Sequence, residues 1–302
     1  MSHVFKMFKT VFLILFLCVN CLSTQEEAPK YIIDNDAGGD DAMAIFLGLL
    51  YEKHFNGPKL VALTTGNGNT NEDNVCYNNQ RILRVAKRPD VPIYRGSKAS
   101  VVSTPKVTNY YGLDGLGDTE ITFPDLVPAK TENAVTALLN YSKTYEDEKN
   151  KSPEFNAHMD VEAYHIVVQN ATPDKVTIVP FSQIKEFLNF PKEWRNDTLG
   201  AIDTEIMKAQ NQFEQVPLGI EDSWQSLDPA TVSLFLKPDL VAEYKYSKND
   251  IIICGDKRGI TTNEFVEKEN ANVRIAYAVK TEEYRQFLLE VFRSDKSATE
   301  KS

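Results

Sequence analysis

Ile32-Ile33-Asp34-Asn35-Asp36-Ala37-Gly38-Gly39-Asp40-Asp41-Ala42-Met43-Ala44-Ile45 decides the reading of this chain. Four carboxylates fall within eight residues, between an apolar run at 31–33 that reads as a strand and one at 41–51 that reads as a helix. Asp34 closes the strand and Asp36 sits in the turn. Asp40 and Asp41 open the helix, where aligned peptide dipoles favour anionic groups. Carboxylates crowded into one corner repel and raise one another's pKa unless a cation relieves them. A metal is therefore expected, and with no Cys or His in the stretch the donors are all oxygens, which favours Ca²⁺ or Mg²⁺ over Zn²⁺. An EF-hand loop starting at Asp34 requires a bidentate Glu at its twelfth position; that position is Ile45, so this alternative fails. A plain helix cap explains one or two of the aspartates, but not Asp34 and Asp36 at a buried strand end.

Working outward, the first 24 residues carry Lys6 and Lys9 ahead of an apolar run at 11–19 and small or polar residues at 21–24. This is the plan of a secretory signal peptide, too short in its apolar part to span a bilayer, and it predicts a secreted, extracellular protein. Residues 25–302 then form one domain, since no Gly/Ser-rich or Pro-rich linker and no repeat divides them. Without the leader the chain has 31 basic and 43 acidic residues, a formal charge of −12, which disfavours nucleic-acid and anionic-membrane partners. Cys76 and Cys254 remain, as one disulfide or two thiols. Acceptor patterns at Asn140, Asn170 and Asn196 fit a glycoprotein on a secretory route.

Towards the C-terminus, strand, glycine-bearing loop and helix recur. Residues 59–65 read as a second strand, running through Gly66-Asn67-Gly68-Asn69-Thr70 into a helix over 71–86. Asn67 and Asn69 are placed to aim hydrogen-bonding groups into the crevice at a parallel sheet's carboxyl end, or to form a plain Asn/Gly turn. Val91-Pro92-Ile93-Tyr94 is a third strand. Tyr110-Tyr111-Gly112-Leu113-Asp114-Gly115-Leu116-Gly117-Asp118 suits a mobile lid that stacks on a flat ligand, or an ordinary turn. A helix is expected over 133–145, strands at 176–180, 251–254 and 273–279, and a closing helix over 282–292. From the chain alone, Asp228 reads as the cap of a helix running to 236.

These pieces resemble the inosine–uridine nucleoside hydrolase family, whose D-x-D-x-G-x-D-D signature is met by Asp34, Asp36, Gly38, Asp40 and Asp41, with Ala37 where the family usually has Pro. Residues 64–69 resemble its second-strand motif, 112–118 its lid motif, Glu154-Phe155-Asn156 with Asp160, Glu162 and Ala163 its E-F-N stretch, Asp228-Pro229 its late metal-binding aspartate, and 257–261 a C-terminal motif. The resemblance implies an α/β fold with a mainly parallel open sheet and helices on both faces. It implies hydrolysis of the N-glycosidic bond of a small-molecule ribonucleoside to ribose and free base. A Ca²⁺ held by Asp36, Asp41 and Asp228 would bind a water and the ribose diol, with Asp36 as general base. Asp40, Asn69, Asn156 and Glu154 would bind substrate, and Asp34 would support the ligands. Oligomeric state is left open, a homo-oligomer included.

Two departures matter. The family's His residues before the late aspartate and in the lid are Leu227 and Tyr111 here, so departure of the base is expected to rest on stacking, with Tyr110, Tyr111 or Trp224 as platforms and purine nucleosides favoured. The second lies between residues 145 and 154, where the family has a strand with a metal-binding carbonyl, a helix and a further strand. A βαβ unit takes about 30 residues, so that central segment is absent. Weakened stability and impaired catalysis are expected, and the alternative to an enzyme is a catalytically inactive nucleoside-binding relative. A phosphohydrolase with Asp34 and Asp36 as its D-x-D pair is disfavoured, for want of a clear partner lysine and later acidic pair.

Overall fold

The computed structural model describes residues 28–102, 106–119, 122–144, 157 and 159–295. The predicted leader, Glu154 and Asn156 lie outside the described residues. Strand β1 (Lys30–Asn35) leads into helix α1 (Gly39–Phe55), followed by β2 (Lys59–Thr65), α2 (Glu72–Val85), β3 (Ile93–Arg95), β4 (Lys130–Asn133) and α3 (Ala134–Thr144). These four strands form one parallel sheet in the order β1-β2-β3-β4. The second half contains α4 (Val161–Gln169), β5 (Thr177–Ile178), α5 (Phe181–Phe187), β6 (Asn189–Pro191), a π-helical turn (Trp194–Leu199), α6 (Glu205–Phe213) and α7 (Gln215–Ile220). It continues through β7 (Ser223–Gln225), α8 (Asp228–Leu236), β8 (Val241–Ile251), β9 (Thr261–Phe265), β10 (Val273–Val279) and α9 (Thr281–Ser294).

The α/β reading holds, with a parallel sheet and helices around it. The later strands, however, form a separate, mostly antiparallel sheet, β5-β10-β8-β9, and β6 pairs with β7 as a ribbon. All strands of the first sheet precede residue 145 and all strands of the second follow it. The division thus falls where the sequence departs from the family pattern. The strand expected at 251–254 is corrected: β8 ends at Ile251, and Gly255, at φ 74°, belongs to the turn before β9. The polar alternation of 241–251, VAEYKYSKNDI, was the strand signal that the apolar run obscured. Cys76 and Cys254 are both free thiols, one buried and one exposed. No helix among the described residues is long and apolar enough to cross a membrane.

Helix α1 is the centre of the molecule. Every residue from Gly39 to Leu50 is buried, so it has no solvated face over three turns and must be covered on all sides. It lies between β2 and helices α2, α6, α8 and α9. Phe46, fully buried, stacks on Phe213 of α6 at 6.4 Å between ring centroids. This packing fixes the N-terminal end of α1, and hence Asp40 and Asp41, against the start of α8. Phe46→Ala should cost about 3–5 kcal/mol in urea unfolding, through lost transfer energy and the cavity left behind. Val135→Ala on α3, at a side chain 66% exposed, should change stability by less than about 0.5 kcal/mol.

Candidate functional site

The site begins where β1 gives way to α1. Parallel pairing of β1 with β2 sets Asp34 beside Thr64 and Asn35 beside Thr65. Asp34, exposed at the outer edge of the sheet, accepts a 2.5 Å bond from Thr64 Oγ1. Asn35 donates to the Thr64 carbonyl and accepts from Asn79 Nδ2, locking both strand ends to α2. The chain then turns through Ala37 in the left-handed region, φ 45°, a value closed to a proline ring. Asp41 caps its own helix by accepting from the Gly38 amide at 2.7 Å.

Asp36 is held from across the sheet. Asn69 donates to it twice, from its backbone N–H at 2.7 Å and from Nδ2 at 2.9 Å, and Nδ2 also lies 3.4 Å from Asp41. Glycine is required on both sides of this contact: a Cβ on Gly68 would sit 1.8 Å from Asp36 Oδ2, and one on Gly38 would sit 2.4 Å from Asn69 Nδ2. Asn69 therefore orients an acidic group in the structure, alongside the substrate contact that the resemblance implies.

Asp228 arrives from the far end of the chain. The capping role read from the sequence is corrected: Leu227 occupies the cap position, α8 has no side-chain cap bond, and Asp228 turns to the acidic corner. Carboxylate oxygens of Asp40, Asp41 and Asp228 lie within 4.8 Å of one another. Asp40 joins this tight group, while Asp36 flanks it through Asp41. Burial is the largest cause lifting all four carboxyls above their usual range. Repulsion from Asp228 comes next for Asp40 and Asp41, and Asp228 itself is pushed up to about 6. Asp40 Oδ1 is buried without a hydrogen-bond partner. A buried anionic oxygen left unpaired is costly, so an all-oxygen donor set with one orphaned atom fits a hard divalent cation.

The loop carrying Tyr110 and Tyr111 forms one wall. Tyr111 is 4% exposed, and a Cβ on Gly38 or Gly39 would lie 2.7 or 2.8 Å from its ring. Tyr110, half-exposed, meets it edge-on at 4.9 Å, and burial with the nearby charge of Glu221 raises its hydroxyl pKa. Of the two expectations for this loop, a mobile lid or a turn, the structure shows a turn bonded to side chains of α2 and α7. Asn78 Nδ2 reaches both the Asp114 and Ala37 carbonyls, Arg81 binds the Asp114 carboxylate at 3.0 Å, and Gln215 donates to the Gly117 carbonyl. Trp224 is also displaced from its expected role as a stacking platform. It is 5% exposed, packed among Phe190 and Trp194, and its indole N–H donates to Glu214 at 2.9 Å. Sequence reasoning missed Glu214 and Arg195, a fully buried pair at 2.7 Å beside the site, because neither lies in a motif.

The raised carboxyls make a signed prediction. A carboxyl whose folded pKa exceeds its unfolded value stabilises the fold below the unfolded value, about 4, and loses that contribution as pH rises through the folded one. The window runs up to about 6 for Asp228, and Asp40 and Asp41 act in the same direction. Thermal unfolding of chelator-treated protein should show Tm falling between about pH 4 and pH 7 on this account. Saturating Ca²⁺ should restore stability at about pH 7, by about 2.7 kcal/mol at a hundredfold excess over Kd, and by less at about pH 5. An equal gain at both pH values would contradict the site.

The family profile described as inosine-uridine preferring nucleoside hydrolase matches residues 31–150 and 144–286, two stretches that meet where the sheets divide. Uridine nucleosidase 1 of Arabidopsis thaliana is 33% identical over 115 residues, 37% of this chain, and the match spans only 32% of that protein's length. Among solved structures, an inosine-guanosine nucleoside hydrolase superposes with a TM-score of 0.74 at 18% identity, over 88% of this chain and 99% of the other. A purine-preferring ribonucleoside hydrolase from Gardnerella vaginalis gives 0.74 at 17% identity, with the same shares of each chain. The acidic turn, the distant Asp228 that joins it and the breadth of the profile match agree: the chain belongs to the inosine-uridine preferring nucleoside hydrolase family.

Proposed function

We propose that this chain is a secreted, Ca²⁺-dependent hydrolase that cleaves the N-glycosidic bond of ribonucleosides, purine nucleosides preferentially, to ribose and free base. The observation that carries the reading is the meeting of Asp40, Asp41 and Asp228, with Asp40 Oδ1 unpaired, inside a fold of this family. Asp41 and Asp228, with Asp36 or Asp40 beside them, would hold the cation, which when bound polarises oxygen groups and lowers their pKa. Asp36, oriented by its two bonds from Asn69, takes the proton of the water that attacks the anomeric carbon. Asp40 would bind a ribose hydroxyl, and Glu154 and Asn156 are assigned to the sugar by their motif alone. The surrounding negative charge favours an oxocarbenium-like transition state.

Base preference rests on Tyr110 and Tyr111. Tyr110 offers the exposed ring at the site's mouth, and a fused purine gives it more overlap than a pyrimidine. The relatives' names point both ways, uridine for the Arabidopsis protein and purines for the structural neighbours. Secretion rests on the pattern of residues 1–24. A second reading, a catalytically inactive nucleoside-binding relative, is favoured by the two-part profile match and the divided sheet.

Purified protein incubated with inosine, adenosine and uridine should release free base, faster from the purines, and a Ca²⁺ chelator should stop it. Binding of nucleoside without release would select the inactive reading. Asp36→Asn should lower kcat by about 10²–10⁴-fold, and retained turnover would refute its role as base.

A further inference from the structure

Behind the acidic corner lies a buried polar cluster that the proposed reaction does not use. Arg195, in the π-helical turn, is 0% exposed, and its Nε and Nη2 both donate to Glu214 Oε2, at 2.9 and 2.7 Å. Trp224 Nε1 donates to the other oxygen, Oε1, at 2.9 Å. Both oxygens of Glu214 are thus committed, each to a different element. Arg195 is further fixed by Asn211 at 2.8 Å. Ion pairs this deeply buried carry a large desolvation cost and are weak evidence of stabilisation in themselves. Their effect on arrangement is the informative part.

Glu214 follows directly on α6, whose Gln210 donates to the Gly39 carbonyl at 2.7 Å, and its Cγ would lie 3.0 Å from a Cβ on Gly39. One side of Glu214 therefore rests on the turn that presents Asp40. Its charge acts on Asp40 and on Tyr111. The other side grips Trp224 in β7, four residues ahead of Asp228. The site joins carboxylates from two distant parts of the chain, and this cluster ties those two parts together.

We infer that Glu214, held by Arg195 and bonded to Trp224, is a positioning residue that sets the separation of Asp228 from Asp40 and Asp41, and so the affinity of the corner for its cation. The inference rests on the cation-binding part of the proposed function. It gives Trp224 a different role from base stacking, acting through its N–H instead of its ring face.

The test is calorimetric titration of Ca²⁺ into the chelator-stripped full chain and its variants, with thermal unfolding run alongside. Trp224→Phe keeps an aromatic ring but removes the N–H together with one ring of the indole, a loss of volume that Trp194→Phe matches; it should weaken Ca²⁺ affinity about tenfold, as loss of an outer partner does at metal sites. Glu214→Gln cannot satisfy Arg195 and Trp224 together and should weaken it at least as much. Should Glu214→Gln fail to fold, Trp224→Phe decides alone. Trp194→Phe, in the same aromatic cluster at 6.1 Å from Trp224, should leave the affinity unchanged. Base release by Trp224→Phe should return to the wild-type rate at saturating Ca²⁺, a rescue that general damage to the core would not permit. Wild-type affinity in Trp224→Phe, an equal loss in Trp194→Phe, or failure of excess Ca²⁺ to restore turnover would overturn the positioning role while leaving the hydrolase reading intact. No Ca²⁺ binding by the wild-type chain would overturn both.

Discussion

Mutual repulsion among three buried aspartates and the half-buried Asp228 is the constraint around which the rest of this molecule is arranged. Asp36, Asp40 and Asp41 are 8%, 7% and 5% exposed, and Asp228 is drawn into the same corner. Apolar burial supplies most of the free energy of a fold like this. Here that burial forces anionic groups together, since α1 can be buried over its first three turns only if its N-terminal carboxylates are buried with it. The protein offsets this with fixed dipoles: the Gly38 amide on Asp41, two donors from Asn69 on Asp36, and the N-terminus of α1 itself. One oxygen of Asp40 receives nothing. A buried carboxylate oxygen without a donor, in a corner of like charges, is suited to a cation.

The same economy explains the surrounding shell. Asn78 and Asn79 bridge the acidic turn, the strand end and the tyrosine loop, and Arg81 neutralises Asp114 at the base of that loop. Arg195 neutralises Glu214 on the opposite side. Two buried arginines thus flank the acidic corner, each spent on a carboxylate outside it. The cation-demanding group keeps its negative charge, and with it the field that a developing oxocarbenium ion requires.

How much of this could be read from the sequence depends on whether the signal was local. The acidic turn was legible because four like charges packed between a strand pattern and a helix pattern repel one another unless a cation sits among them. Helices α1, α2, α3 and α9 lie where they were expected, α1 as a continuous apolar run and not a stripe, but the apolar positions Val135, Leu138 and Leu139 that suggested α3 are exposed. Asp228 was not, on its own: Leu-Asp-Pro looks like a helix start, and only resemblance to the family pattern brought it to the metal. The bonding of the tyrosine loop was hidden because its partners, Asn78, Arg81 and Gln215, lie on other elements. Glu214 and Arg195 were hidden for a related reason: these residue types are mostly exposed, and a buried pair is visible only once the fold brings it together. The division into two sheets, by contrast, was foreshadowed by a count of residues, since the few between the end of α3 and Glu154 cannot form a crossover unit.

The central claim, that this corner binds a hard divalent cation, is tested most directly by terbium luminescence, with Tb³⁺ as an oxygen-seeking stand-in for Ca²⁺. Tyr111 lies against the turn that carries the carboxylates, close enough to sensitise an ion held there. The account predicts tyrosine-sensitised Tb³⁺ emission that saturates at one ion per chain, is displaced by Ca²⁺, and is lost in Asp41→Asn. Emission that is absent, or that Ca²⁺ and Asp41→Asn both leave unchanged, would contradict it.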